Sequence, residues 1–211
     1  SLFRSFLAWI VEADKQFVIL GNQNAITYKE VFPLIMKNKL WLGSSISSGD
    51  REFRVPDSYP LNAAGWRIDE DGKKYIRVKG VRWFSNIEHG RRHEPLKLMT
   101  MENNIKFSKH KEVKGIGYKT YANFDAIEVP FTDAIPSDYP GLMGVPITFL
   151  DKYSPEQFEI LGSSGDMGTP ISQIAEPGTY QQGGQSFYIK NDDGTYERLY
   201  KRLVIRNRNP E

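Results

Sequence analysis

The chain has 211 residues, 39% hydrophobic and 26% charged, which suits a folded protein of one large or two small domains and excludes the low-hydrophobicity composition of disorder. It has no cysteine, so a disulfide framework, a thiolate nucleophile and a cysteine zinc site are excluded. No window holds about 18 consecutive apolar residues, and the first residues lack the order of a secretory leader; a cytoplasmic protein without membrane contact is expected. The net charge of +2 is unevenly spread. Residues 51–120 carry 16 basic and 9 acidic side chains, whereas residues 121–197 carry 2 and 12. The basic block could neutralise nucleic-acid phosphates or complement the acidic segment within one fold.

In chain order, Leu2, Phe3, Phe6, Leu7, Ile10 and Val11 follow the spacing of an amphipathic helix, with Ser1 at its N-cap. Phe17 to Leu20 form a short apolar run ending at Gly21-Asn22, which predicts a strand covered on both sides, as in a parallel sheet. A second helix is expected through Ile26, Tyr28, Val31, Leu34 and Ile35, kinked at Pro33, where the ring removes a backbone donor. Leu40 to Leu42 offer a second strand. Helix, strand, helix, strand is about half of a doubly wound α/β sheet, so the sheet is expected to be truncated at its front.

From residue 51 the pattern turns β-rich, an α+β character overall. Strands are expected at Phe53–Val55, Trp66–Ile68, Tyr75–Val78 and Val81–Phe84, then at Ala126–Val129, Ile147–Leu150, Phe158–Leu161, Phe187–Ile189 and Leu199–Ile205. Asp71-Gly72 and Asp193-Gly194 mark hairpin turns. Residues 162–184, rich in glycine, serine and glutamine, read as a long surface loop. Three regions follow: 1–43 as sheet, 44–120 as a basic β-rich candidate DNA-recognition region, and 121–211 as an acidic α+β region with a closing basic strand.

Asn22, Gln23 and Asn24 stand at the carboxyl end of the first strand, where open α/β sheets hold their ligands. They are therefore placed to hydrogen-bond a polar ligand, although asparagine there also caps helices. His89 and His93 have a helical metal-ligand spacing, but Gly90 weakens a helix, Arg91 and Arg92 add positive charge, and no further ligand follows, so no metal site is expected. Arg91 and Arg92 suit bidentate contacts to phosphate or guanine. Lys106, Lys109, Lys111, Lys114 and Lys119 are interleaved with Phe107, His110, Tyr118 and Tyr121, a mixture that pairs phosphate neutralisation with base stacking. A solvated basic face over core aromatics would read the same way.

Three stretches, SLFRSFLAWIVEADKQFVILGNQNAITYKEVFPLIMKNKLWLG (1–43), VKGVRWFSNIEH (78–89) and TYANFDAIEVPFTDAIPSDYPGLMGVPITFLDKYSPEQFEILG (120–162), with the closing strand RLYKRLVIRNR (198–208), resemble the EcoRI-like family of DNA adenine methyltransferases. The resemblance implies a class I methyltransferase fold that binds S-adenosylmethionine at its first strand and carries an Asn-Pro-Pro-Phe tetrapeptide after its fourth. In that family the tetrapeptide holds an adenine flipped out of the duplex with its amino group aimed at the sulfonium methyl. By this likeness the chain begins just after the tetrapeptide, at Ser1-Leu2-Phe3-Arg4, and comprises the second half of the sheet plus an irregular β-rich target-recognition region.

Several expectations follow from the resemblance. Duplex DNA and the missing N-terminal half are partners, S-adenosylmethionine is the full enzyme's cofactor, and none binds this chain alone. Asn22, Gln23 and Asn24 lie near the flipped adenine, and the chain holds no catalytic residue. Glu128-Val129-Pro130-Phe131 lacks the first proline and is not taken as catalytic. A stand-alone DNA-recognition module without methyl transfer is the alternative, and self-association through an exposed sheet edge is a further one.

Overall fold

The computed structural model describes residues 2–46, 50–62 and 65–211; the expected cap at Ser1 lies outside them. The chain divides into two compact units, Ser1–Ile87 and Glu88–Glu211, and the division falls inside the expected 44–120 region. Mixed helices and short sheets make up both, an α/β chain with α+β character. Among the described residues no helix is long and apolar enough to cross a membrane.

The first unit runs α1 (Leu2–Glu12), β1 (Val18–Asn22), α2 (Phe32–Met36), β2 (Trp41–Leu42), β3 (Arg51–Val55), β4 (Trp66–Ile68), β5 (Lys74–Val78) and β6 (Val81–Ser85). On α1, Leu7 is buried and Phe3 packs edge-on against Phe84 at 5.3 Å, while Phe6 and Trp9 stay exposed. Thus only part of the apolar stripe is covered. Strand order is β1-β6-β2, with β6 antiparallel to both neighbours. Hence β1 and β2 run parallel without pairing.

The expectation of a doubly covered β1 is corrected: Val18 is 53% exposed, because β1 is the edge of its sheet. Its start is fastened to the end of β6, where Phe17 N–H donates to Asn86 Oδ1 at 2.9 Å and Ser85 Oγ donates to Phe17 O at 2.8 Å. The expected kink at Pro33 is also corrected. Pro33 occupies the first turn of α2, where the missing N–H has no helical partner to lose, and residues Gln23–Thr27 form a separate 3-10 turn.

A second sheet, β3-β5-β4, is antiparallel throughout. Its β4–β5 hairpin turns at Asp71-Gly72 as expected. Gly72 adopts φ +78°, a conformation that favours glycine, and Asp69 Oδ1 accepts the N–H groups of Asp71 and Lys73.

The second unit holds α3 (Met101–Phe107), β7 (Ile127–Glu128), β8 (Met143–Pro146), β9 (Phe158–Ser163), β10 (Tyr188–Lys190), β11 (Tyr196–Arg198) and β12 (Arg202–Asn207). Its main sheet has the order β7-β8-β12-β9, with β7 parallel to β8 and the other pairs antiparallel. Leu203, Val204 and Ile205 of β12 and Met143 and Val145 of β8 are fully buried. The expected strand Ile147–Leu150 is a 3-10 turn, Ile147–Lys152; a short apolar run fits a buried turn as well as a strand.

The long loop at 162–184 is likewise pinned rather than loose. Asn123 Nδ2 donates to Thr169 O and Ser186 O, and its Oδ1 accepts the Tyr188 N–H. Gln185 Nε2 donates to Met167 O and Gly168 O. Ile171 and Ala175 pack against Tyr188.

Candidate functional site

The end of β1 is built by close approach and by capping. A Cβ on Gly21 would stand 2.7 Å from the Phe3 ring and 2.9 Å from that of Phe84, so glycine lets the strand end lie between them. Asn22 then caps the Gln23–Thr27 turn, its Oδ1 accepting the Asn24 N–H at 2.9 Å, while its Nδ2 donates to Lys79 O at 2.9 Å. Gln23 N–H donates to Gly80 O at 2.7 Å, and Asn24 O accepts from Thr27 Oγ1 at 3.1 Å. Asn22 and Gln23 therefore clasp the β5–β6 turn to the strand end, and Asn24 joins the capped turn that follows. Asn22 borders an open groove of about 530 Å³ also lined by Tyr59, Leu61, Ile76, Val78 and Lys79.

The basic candidates all lie in the second unit and divide by environment. Arg92 is buried, and its Nη1 meets Glu88 Oε2 at 3.1 Å; Arg91 is exposed. His93, four residues from His89, reaches no metal cluster: its Nδ1 lies 2.6 Å from Glu156 Oε1 and its Nε2 2.9 Å from Glu88 Oε1. Those bonds, Glu156 first, raise the His93 pKa. Among the described residues no group of three or more metal-ligating side chains could hold an ion.

Lys106 pairs with Glu102 one turn earlier on α3, and Lys109 pairs with Asp133 at 2.7 Å. Asp133 also meets His110 Nε2 at 2.7 Å, and the His110 ring stacks on Phe131 at 3.7 Å. Burial pushes the Asp133 carboxyl up, but Lys109 and His110 outweigh it and hold the group below its ordinary value. Lys111, Lys114 and Lys119 are exposed. Of the interleaved aromatics, Phe107 is exposed, Tyr118 donates to Ala134 O, and Tyr121 is buried. Among these rings only Phe107 is exposed, and Tyr118 and His110 are half-buried. Glu128 carries a structural load instead, for Arg202 grips it through Nε and Nη2 at 3.0 and 2.8 Å and Tyr121 donates its hydroxyl to it. Burial, with Glu128 beside it, pushes the Tyr121 pKa far up.

Sequence reasoning did not single out the arginines of β3, β4 and β5. Strand register places Arg54, Tyr75 and Arg67 in one cross-strand row and Glu52 and Arg77 in the next, so all five side chains share one face. Strand alternation hints at this face, but only the pairing of β5 with both neighbours assembles it.

The model of a family described as the adenine-specific methyltransferase EcoRI matches residues 1–208. The chain belongs to this EcoRI methylase family. It is 44% identical over 161 residues to the Type II methyltransferase M.EcoRI of Escherichia coli, covering 76% of this chain and 47% of that protein. It is 30% identical over 218 aligned residues to the Type II methyltransferase M.MpnI of Mycoplasma pneumoniae, covering 99% and 61%. A third relative, the Type II methyltransferase M.MgeORF184P of Mycoplasma genitalium, is 35% identical over 163 residues, covering 76% and 48%. The chain thus spans about half to three-fifths of the length of the curated relatives it matches. No solved structure matches it.

Proposed function

We propose that the chain is the C-terminal portion of a restriction-modification adenine DNA methyltransferase, which moves a methyl group from S-adenosylmethionine to the exocyclic amino group of adenine. The observation that carries this reading is the family match across residues 1–208. It is supported by two parallel strands preceded by helices and joined through an antiparallel strand, an arrangement that suits part of a mixed class I sheet. The outer edge of β1, with Val18 exposed, is the place for further strands of that sheet or, failing them, for a second copy.

The sequence holds no Asn-Pro-Pro-Phe, so the proposal assigns base positioning to residues outside these 211. The groove beside Asn22 does not fit S-adenosylmethionine. Among the described residues its lining has no carboxylate for ribose hydroxyls, and Arg77 and Lys79 would oppose a sulfonium cation. The chain's own share is to stiffen the strand end through Asn22, Gln23 and Asn24, close to the flipped adenine, and to meet duplex DNA with Arg91, Lys106, Lys109, Lys111, Lys114 and Lys119. Arg92, buried with its Nη1 on Glu88, braces the short 3-10 turn Gly90–His93 that carries Arg91.

Incubation with labelled S-adenosylmethionine and duplex DNA tests this reading. No transfer is expected from the chain alone, and transfer to the adenine amino group is expected once the upstream half of the Escherichia coli relative is fused to it. Transfer by the unaided chain, or to cytosine in the fusion, overturns it.

A further inference from the structure

We propose that the polar face of the β3-β5-β4 sheet is a docking surface for the phosphodiester backbone of duplex DNA, held by the guanidinium groups of Arg54 and Arg77. The inference rests on the reading that this chain meets DNA, and it locates the contact on residues outside the lysine-rich segment.

The face is prepared by an internal strap. From the edge strand β4, Arg67 crosses the central strand with its guanidinium 4.2 Å above the Tyr75 ring. It reaches Glu52 on the opposite edge, where Nε and Nη2 donate to the two carboxylate oxygens at 2.8 and 2.6 Å. One side chain thereby ties all three strands together and, among the described residues, occupies the only carboxylate on the face. Asp69 and Asp71 lie at the hairpin tip, engaged with backbone N–H groups and with Lys73. Arg54 and Arg77 are exposed; Arg77 faces Glu52 across the strands and, after Arg67, helps to lower its carboxyl pKa, but among the described residues neither guanidinium makes a hydrogen bond or a close ion pair.

Two such cations on one small sheet repel each other, and an exposed cation beside a carboxylate already taken by Arg67 adds little to folding. They become favourable when an anion arrives. Arg54 pairs with Tyr75 and Arg77 with Glu52, so the two arginines are diagonal neighbours with backbones roughly 7–8 Å apart. Each planar fork can take a phosphate in bidentate fashion, and two forks so separated suit successive phosphates better than one base edge, which a single fork reads. Strands lying on duplex DNA are an established mode of recognition.

The test is a salt titration of the full 211-residue chain against duplexes of several unrelated sequences, comparing wild type with Arg54→Gln/Arg77→Gln. Loss of two phosphate contacts lowers the slope of log affinity against log salt by about two. Between 50 and 200 mM salt, the double variant should then lose roughly tenfold less affinity than wild type. The loss of affinity should be equal on every sequence. Glu52→Gln, which removes a negative charge and releases Arg67, should bind more tightly, an effect that a purely structural role would not produce. Circular dichroism before titration confirms that each variant is folded.

An unchanged slope in the double variant, with wild type binding normally, overturns the assignment of this face while leaving the DNA reading intact. A loss confined to one sequence overturns phosphate contact in favour of base reading. Absence of salt-dependent binding by the wild-type chain overturns the DNA reading itself.

Discussion

The β7-β8-β12-β9 and β3-β5-β4 sheets are both small and mostly antiparallel, yet they end in opposite environments. In the first, five side chains on β8 and β12 have no solvent exposure and even the Glu128–Arg202 pair is almost covered. In the second, the best-covered side chain is Val55 at 9%, while Trp66 and Ile68 are each 50% exposed. The strap from Arg67 to Glu52 runs in solvent. A sheet packed on both faces carries stability, whereas a three-stranded sheet open on both faces contributes little by itself. Burial and exposure are thus divided between two sheets in different units.

That division can be broken by mutation. Glu128→Ala leaves the Arg202 guanidinium and the Tyr121 hydroxyl without their buried partner, and should destabilise the second unit by about 3–5 kcal/mol in urea denaturation. Ile205→Ala opens a cavity at the centre of the same sheet and should cost about 2–5 kcal/mol. Trp66→Ala on the open sheet should cost less than about 1 kcal/mol by the same measurement. A loss as large as that at Ile205 would show that the open sheet is part of the stabilising core after all.

The smallest effect concerns pH. Bonds to Glu156 and Glu88 raise the His93 pKa in the folded state, so charged His93 stabilises the second unit fully below the ordinary histidine value of about 6.5. That contribution fades as pH rises through the elevated folded value. Thermal melts should therefore show a decline above about pH 6.5 that His93→Gln removes; an identical decline in both proteins would refute the link.

Much of the local structure was legible in the sequence. Trp66–Ile68 matches its strand residue for residue, and both Asp-Gly turns sit between paired strands, because turn chemistry and alternation act over a few residues. Long-range pairing was not legible. The exposure of β1 depends on β6, some sixty residues later, and Pro33 reads equally as a kink or as a helix start until the preceding turn is seen to be separate. The helix α3 went unread although Thr100 caps it by accepting the Asn103 N–H. At the candidate site, the capping role of Asn22 was one of two readings open in the sequence, and the geometry shows it. The burial of Arg92 and the shared face of Arg54, Arg67 and Arg77 depend on packing and register. The family was legible in the long stretches at 1–43, 78–89, 120–162 and 198–208, since the family model matches across 1–208.

Amide hydrogen exchange of the chain with and without duplex DNA at low salt addresses the two sheets together. The account predicts that DNA slows exchange in residues 51–78 and in the exposed lysine segment 106–119, and leaves β8 and β12 unchanged. Protection confined to β8 and β12, with residues 51–78 unaffected, would contradict it.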